Sequence, residues 1–201
     1  MDNNKDYTRE LITFNLVKAN LYAIFSIIPI LIIYLIPYYL IWNKNINKEN
    51  IKKSIIYFKN NGYLNPILIF TIIISTLTIG IILHELIHGI TWAKFTKDGF
   101  KSIKFGVLWR FLTPYCHCKE PLLVKHYIIG GIMPTIILGV LPVIISFITG
   151  NILFLIFGIF FTMAAFGDFI ILFRLIKENK NNLVLDHPSE VGCYIYRYNK
   201  L

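Results

Sequence analysis

His84, Glu85 and His88 stand in the run I-I-L-H-E-L-I-H-G, from Ile81 to Gly89. On an α-helix the four-residue spacing places both imidazoles on one face, one turn apart. Two imidazoles so held can grip one metal ion, and Glu85 can act as general base toward water on that ion. The run lies inside a long apolar segment from about Pro66 to Ala93. An ionisable side chain near a bilayer centre costs about 2.5–3.5 kcal/mol, so three in one segment need a reason. A zinc site inside a membrane supplies one. The alternative is a polar face buried against other helices with no metal.

The rest of the chain supports a membrane setting. Of 201 residues, 56% are hydrophobic and only 15% charged, with a mean hydropathy of +0.62. Soluble domains carry less apolar and more charged residue. The net charge of +9 is read as setting orientation rather than recruiting nucleic acid, since no basic-aromatic motif accompanies it. Cys116, Cys118 and Cys193 make an odd number and no disulfide framework.

Four apolar stretches are expected to cross the bilayer. The first covers Asn20 to Trp42, with Pro29 and Pro37 inside it and Tyr38, Tyr39 and Trp42 at the headgroup boundary. Residues 1–19, polar to amphipathic, are placed at the membrane surface. Residues 43–65 carry five lysines and read as an interfacial helix or a solvated connector. The second span begins near Pro66 and bears the histidines toward its far end. A long polar connection, 94–125, contains an alternating stretch from Phe100 to Leu112 that predicts one or two short strands. It also contains Cys116-His117-Cys118, read as a structural or substrate-facing loop, with direct metal ligation the alternative. His126 to Ile148 makes the third span. Thr149-Gly150-Asn151 is a tight turn into the fourth, about Ile152 to Ile176. The tail, 177–201, ends in a Tyr-rich run expected to form a strand. The fold class expected is an all-α integral membrane protein with four transmembrane helices and a short cytoplasmic β-hairpin-like segment between the second and third.

Zinc hydrolases usually hold the ion with three protein ligands. Asp168, His117, His126, Asp186 and His187 are candidates for the third. Depth favours Asp168. The second and fourth spans run in the same direction, with 18 residues from Pro66 to His84 and 17 from Asn151 to Asp168. At 1.5 Å per residue these depths agree to within about 2 Å. Zinc would also give a buried carboxylate its partner. Bonding to a neighbouring helix or to a Lys or Arg is the alternative for Asp168. A tethered soluble-type zincin would instead use a downstream glutamate such as Glu178 or Glu190.

Charge sets the expected orientation. The N-terminal segment, the 94–125 connection and the tail (with Arg174) carry three, seven and five Lys or Arg, against five on 43–65. The positive-inside rule makes the richer side cytoplasmic, in what is expected to be the plasma membrane, with both termini inside.

H-E-L-I-H-G, P-Y-C-H-C-K-E-P-L, G-G-I-M-P, A-A-F-G-D-F and D-H-P-S-E-V-G-C resemble the DUF3267 family of zincin peptidases, over roughly 65–201. The first of these, the following K-D-G-F-K-S-I-K-F-G and a distant intramembrane Asp are similar to the site-2 (M50) intramembrane metalloproteases. The resemblance implies zinc ligands at His84, His88 and Asp168 and a catalytic Glu85. It implies cleavage of peptide bonds in membrane-associated protein or peptide substrates near the cytoplasmic leaflet, with a membrane-apposed hairpin at 100–110. Asp168 sits in G-D-F rather than the N-P-D-G type of sequence typical of site-2 proteases. The expected division is 1–65 (first span and polar loop), 66–176 (metalloprotease-like membrane core) and 177–201 (cytoplasmic tail). A catalytically inactive metal-binding membrane protein with a regulatory or immunity role is the rival reading.

Overall fold

The computed structural model describes residues 7–13, 16–44, 52, 56, 66–109, 113–188 and 192–198. Two long apolar helices, α1 (Leu16–Trp42) and α2 (Pro66–Ala93), come first. At 1.5 Å rise per residue each exceeds the roughly 30 Å of bilayer hydrocarbon. α1 begins at Leu16 rather than Asn20, and α2 begins at Pro66, the residue the sequence marks. The interfacial-helix reading of 43–65 lies almost wholly outside the described residues.

The third apolar rod runs from Val124 to Thr149. It consists of α3 (Val124–Pro134), a π-helical turn (Thr135–Val140) and α4 (Leu141–Thr149). Pro134 and Pro142 bracket that turn, and neither can donate the N–H that a regular i→i−4 ladder requires. Gly150 then takes φ +72°, the left-handed conformation that closes the helix, and its N–H bonds to Ser146 O at 2.8 Å. Asn151 caps the next helix by accepting from Leu153 N–H at 2.9 Å.

A single fourth helix over Ile152–Ile176 is expected; the chain forms two. α5 (Ile152–Ala164) and α6 (Phe166–Leu175) meet at Ala165 with a bend of 51°. Ala165, with φ −75° and ψ 3°, has left the helical conformation there. Among the described residues, three helices are therefore long and apolar enough to cross a membrane, or four if the bent pair is one crossing. This supports an integral-membrane location.

The hairpin between the second and third apolar helices is present. β2 (Ile103–Leu108) pairs antiparallel with β3 (Thr113–Cys118), in a register that sets Ile103 opposite Cys118. Cys116, His117 and Cys118 thus belong to a strand and not to a loop. A second sheet goes beyond the expected hairpin and is added to the all-α frame of apolar rods. β1 (Tyr7–Thr13), β4 (Leu122–Leu123), β5 (Leu183–Asp186) and β6 (Gly192–Tyr198) form it in the order β1-β6-β5-β4, every pair antiparallel. Only the β6 run is anticipated as a strand by the sequence.

Alternation explains which face this sheet buries. Val184 and Asp186 in β5, and Cys193 and Ile195 in β6, point inward, two residues apart. With Leu122, Val124, Tyr127 and Leu175 they close a core between sheet and helices. Burying each large aliphatic side chain here contributes about 1.5–3 kcal/mol. At the sheet's outer side Arg197 bridges Glu10 at 2.5 Å and Glu178 at 2.7 Å, tying β1, β6 and the residues after α6 together.

Candidate metal centre

His84 and His88 lie one turn apart on α2, in the third of that helix that is buried. Asp168 stands in the first turn of α6, just beyond the bend at Ala165. Their donor atoms form a triangle. His84 Nε2 is 3.1 Å from Asp168 Oδ2, His88 Nε2 is 3.4 Å from the same oxygen, and the two Nε2 atoms are 3.2 Å apart. A tetrahedral zinc site with bonds near 2.05 Å has ligand–ligand edges of about 3.3–3.4 Å. The triangle is therefore geometrically compatible with metal coordination, and it is the one such cluster of His, Cys, Asp or Glu among the described residues.

The donor chemistry fits as well. His88 Nδ1 lies 2.8 Å from the Gly130 carbonyl oxygen. A carbonyl only accepts, so Nδ1 carries the hydrogen and the neutral ring presents its Nε2 lone pair to the triangle. That carbonyl is available because of the residue four places on. A regular helix would bond Gly130 O to the N–H of residue 134, but Pro134 has none, and its ring crowds that carbonyl outward. A Cβ at position 130 would lie 2.1 Å from the Trp92 ring, so glycine is needed for the approach. Trp92 in turn stacks on His88 with centroids 5.1 Å apart and an interplanar angle of 17°. The G-G-I-M-P run thus acts on the geometry of a histidine 42 residues away, with Pro four after Gly as the readable signal.

Glu85 is half-buried on α2, which packs against the hairpin strand β3. Asp168, Trp92, Tyr127, Gly131, Ile171 and Leu172 line a small half-open pocket of about 20 Å³.

The other candidates do not join the cluster. His126 stacks on Phe95 at 4.1 Å between centroids, and His187 packs near Tyr194 at 5.0 Å. His117 projects from β3 beside Lys104 and Lys119, and burial holds its imidazole below the usual histidine range. Glu178 is bound by Arg197, and Glu190 lies outside the described residues. Asp186 accepts from Cys118 N–H at 2.7 Å and from the Tyr127 hydroxyl at 2.5 Å. Burial pushes its carboxyl up, against the lowering effect of those two donors. Burial also pushes the Cys118 thiol up to about 11 and the Cys193 thiol up to about 12. Both are protonated at neutral pH, and neither stands with the histidines.

The family DUF3267, described as "Putative zincin peptidase", matches residues 77–183, just over half of the chain and the whole of the cluster. No curated protein and no solved structure matches the chain.

Proposed function

The chain belongs to the DUF3267 family, and from that membership we propose that it is an intramembrane zinc metalloprotease of site-2-protease type. It would hydrolyse peptide bonds of membrane-associated substrates near the cytoplasmic leaflet. The observation that carries this reading is the triangle of two imidazole nitrogens and one carboxylate oxygen, drawn from two separate apolar segments beside a glutamate. His84, His88 and Asp168 are the residues that would hold the ion. A zinc ion held this way acidifies water and polarises a carbonyl. Glu85 is the proton carrier: its carboxylate takes a proton from the attacking water and gives it to the amine nitrogen as the C–N bond breaks. An extended peptide laid along the outer edge of β3 would lie beside α2, the helix that carries Glu85.

The topology supports placing the site at one membrane face. β1, β4 and the β5–β6 pair share one sheet, so the chain crosses an even number of times between each of them. α1 and α2 account for two crossings. The α3–α4 rod and the bent α5–α6 pair, each counted as one, account for two more. The face bearing the sheet carries the excess of Lys and Arg, and the positive-inside rule makes it cytoplasmic.

Purified protein should contain stoichiometric zinc, and Glu85→Gln should keep it while cleavage of a membrane-anchored peptide falls by about 10²–10⁴-fold. A zinc-free wild type, or undiminished proteolysis by Glu85→Gln, overturns the reading.

A further inference from the structure

Asp186 ends β5, three residues beyond the stretch that matches the family. The alternation of L-V-L-D sends it inward with Val184, and only 9% of its surface remains exposed. A carboxylate in that position must be held by donors or cost several kcal/mol. Both of its oxygens are used, and they reach two different walls of the metal centre.

Oδ2 takes the N–H of Cys118 at 2.7 Å. Cys118 and Cys116 lie two residues apart on β3, so their N–H groups leave the strand on the same edge. The Cys118 N–H is held by Asp186, and the same strand packs against α2. Oδ1 takes the hydroxyl of Tyr127 at 2.5 Å, in the first turns of α3. The Tyr127 carbonyl accepts from Trp92 Nε1 at 3.1 Å, and the Trp92 ring stacks between Tyr127, at 5.0 Å, and His88. Three residues along α3, the Gly130 carbonyl fixes His88 Nδ1. A single carboxylate from the tail therefore clamps the strand packed against α2 to the helix turn that orients His88.

We propose that Asp186 is a positioning residue of the metal centre, so that the C-terminal strand is part of the working site. This rests on the metal-binding reading above. A ligand histidine whose outer partner is lost typically drops metal affinity 10–100-fold. Asp186 acts on His88 through Tyr127, so the effect belongs at the lower end of that range. Asparagine can keep both contacts, its oxygen accepting from Cys118 N–H and its amide donating to the Tyr127 oxygen. Alanine keeps neither.

The test uses the full chain in lipid nanodiscs with Co²⁺ alone as the probe. Relative to wild type, Asp186→Ala should bind Co²⁺ about tenfold more weakly and shift its visible absorption bands, while Asp186→Asn recovers most of the affinity. Tyr127→Phe should weaken binding in the same direction, and Asp186→Ala with Tyr127→Phe should be little worse than Asp186→Ala. Unchanged affinity and spectrum for a folded Asp186→Ala, or losses that simply add, overturn the proposal. If wild type binds no Co²⁺, the metal reading itself has failed. Amide exchange then decides on Asp186: faster exchange in 113–118 and 124–130 of Asp186→Ala supports the clamp, and unchanged exchange there overturns it.

Discussion

α1 and α2 are nearly equal in length and both lack an acidic first turn and a basic last turn, yet they spend their polar side chains differently. α1 docks through ring and hydroxyl groups near its end. The Tyr38 hydroxyl donates to Gly150 O at 2.6 Å, and Trp42 Nε1 donates to Phe147 O at 3.1 Å. Both bonds close on the turn between the third and fourth apolar segments, and both partners are backbone. α2 makes no such ties with its histidines' outward nitrogens, which face each other and a carboxylate. The Tyr38 and Trp42 polar groups are thus satisfied within the fold. At α2 the two imidazole nitrogens meet a carboxylate oxygen from α6, an arrangement compatible with metal coordination.

That contrast can be broken most directly at Asp168. Removing an outer partner costs up to about 100-fold in metal affinity, so Asp168→Ala, which removes a donor itself, should exceed that loss. Competition with a chelator measures it, and full zinc retention by the variant would erase the distinction between the two helices. Tyr38→Phe sharpens the other half. Loss of one hydrogen bond should lower unfolding stability by about 1 kcal/mol in a detergent–denaturant titration and leave zinc content untouched. A zinc deficit there would mean that α1 also serves the centre.

The smallest effect belongs to the sheet. Arg197 hydrogen-bonds to Glu178 and holds its carboxyl below the usual carboxylate range. A depressed folded-state pKa stabilises above the unfolded value, about 4.3 for Glu, and that contribution fades as pH falls through the folded value. Stability measured against pH should therefore decline on the acid side more steeply in wild type than in Arg197→Gln. Equal slopes would show that this ion pair contributes nothing.

The parts legible in the sequence are those carried by local pattern. Uncharged runs mark the apolar rods, and the described part of the second begins at Pro66, close to where the sequence places it. Asp168 is found by counting depth along two helices, and the count survives the bend because only three residues separate Asp168 from Ala165. The bend itself has no proline to announce it; A-A-F-G offers small side chains and little else. The four-stranded sheet is hidden for a different reason. β1 pairs with β6 across the chain, Tyr7 with Tyr198, and no local signal encodes a partner so far away. Asp186 is weighed by the sequence as a ligand; its true neighbours, Cys118 and Tyr127, come from that same long-range pairing.

The sheet also imposes an order on biosynthesis. β1 leaves the ribosome first but has no neighbour until the residues of β6 follow, which at ordinary elongation rates takes roughly 10 to 40 seconds. Until then β5 lacks the strand between itself and β1. A nascent chain still threading its helices into the lipid therefore has an unfinished sheet, and β6 is the strand that joins its two sides.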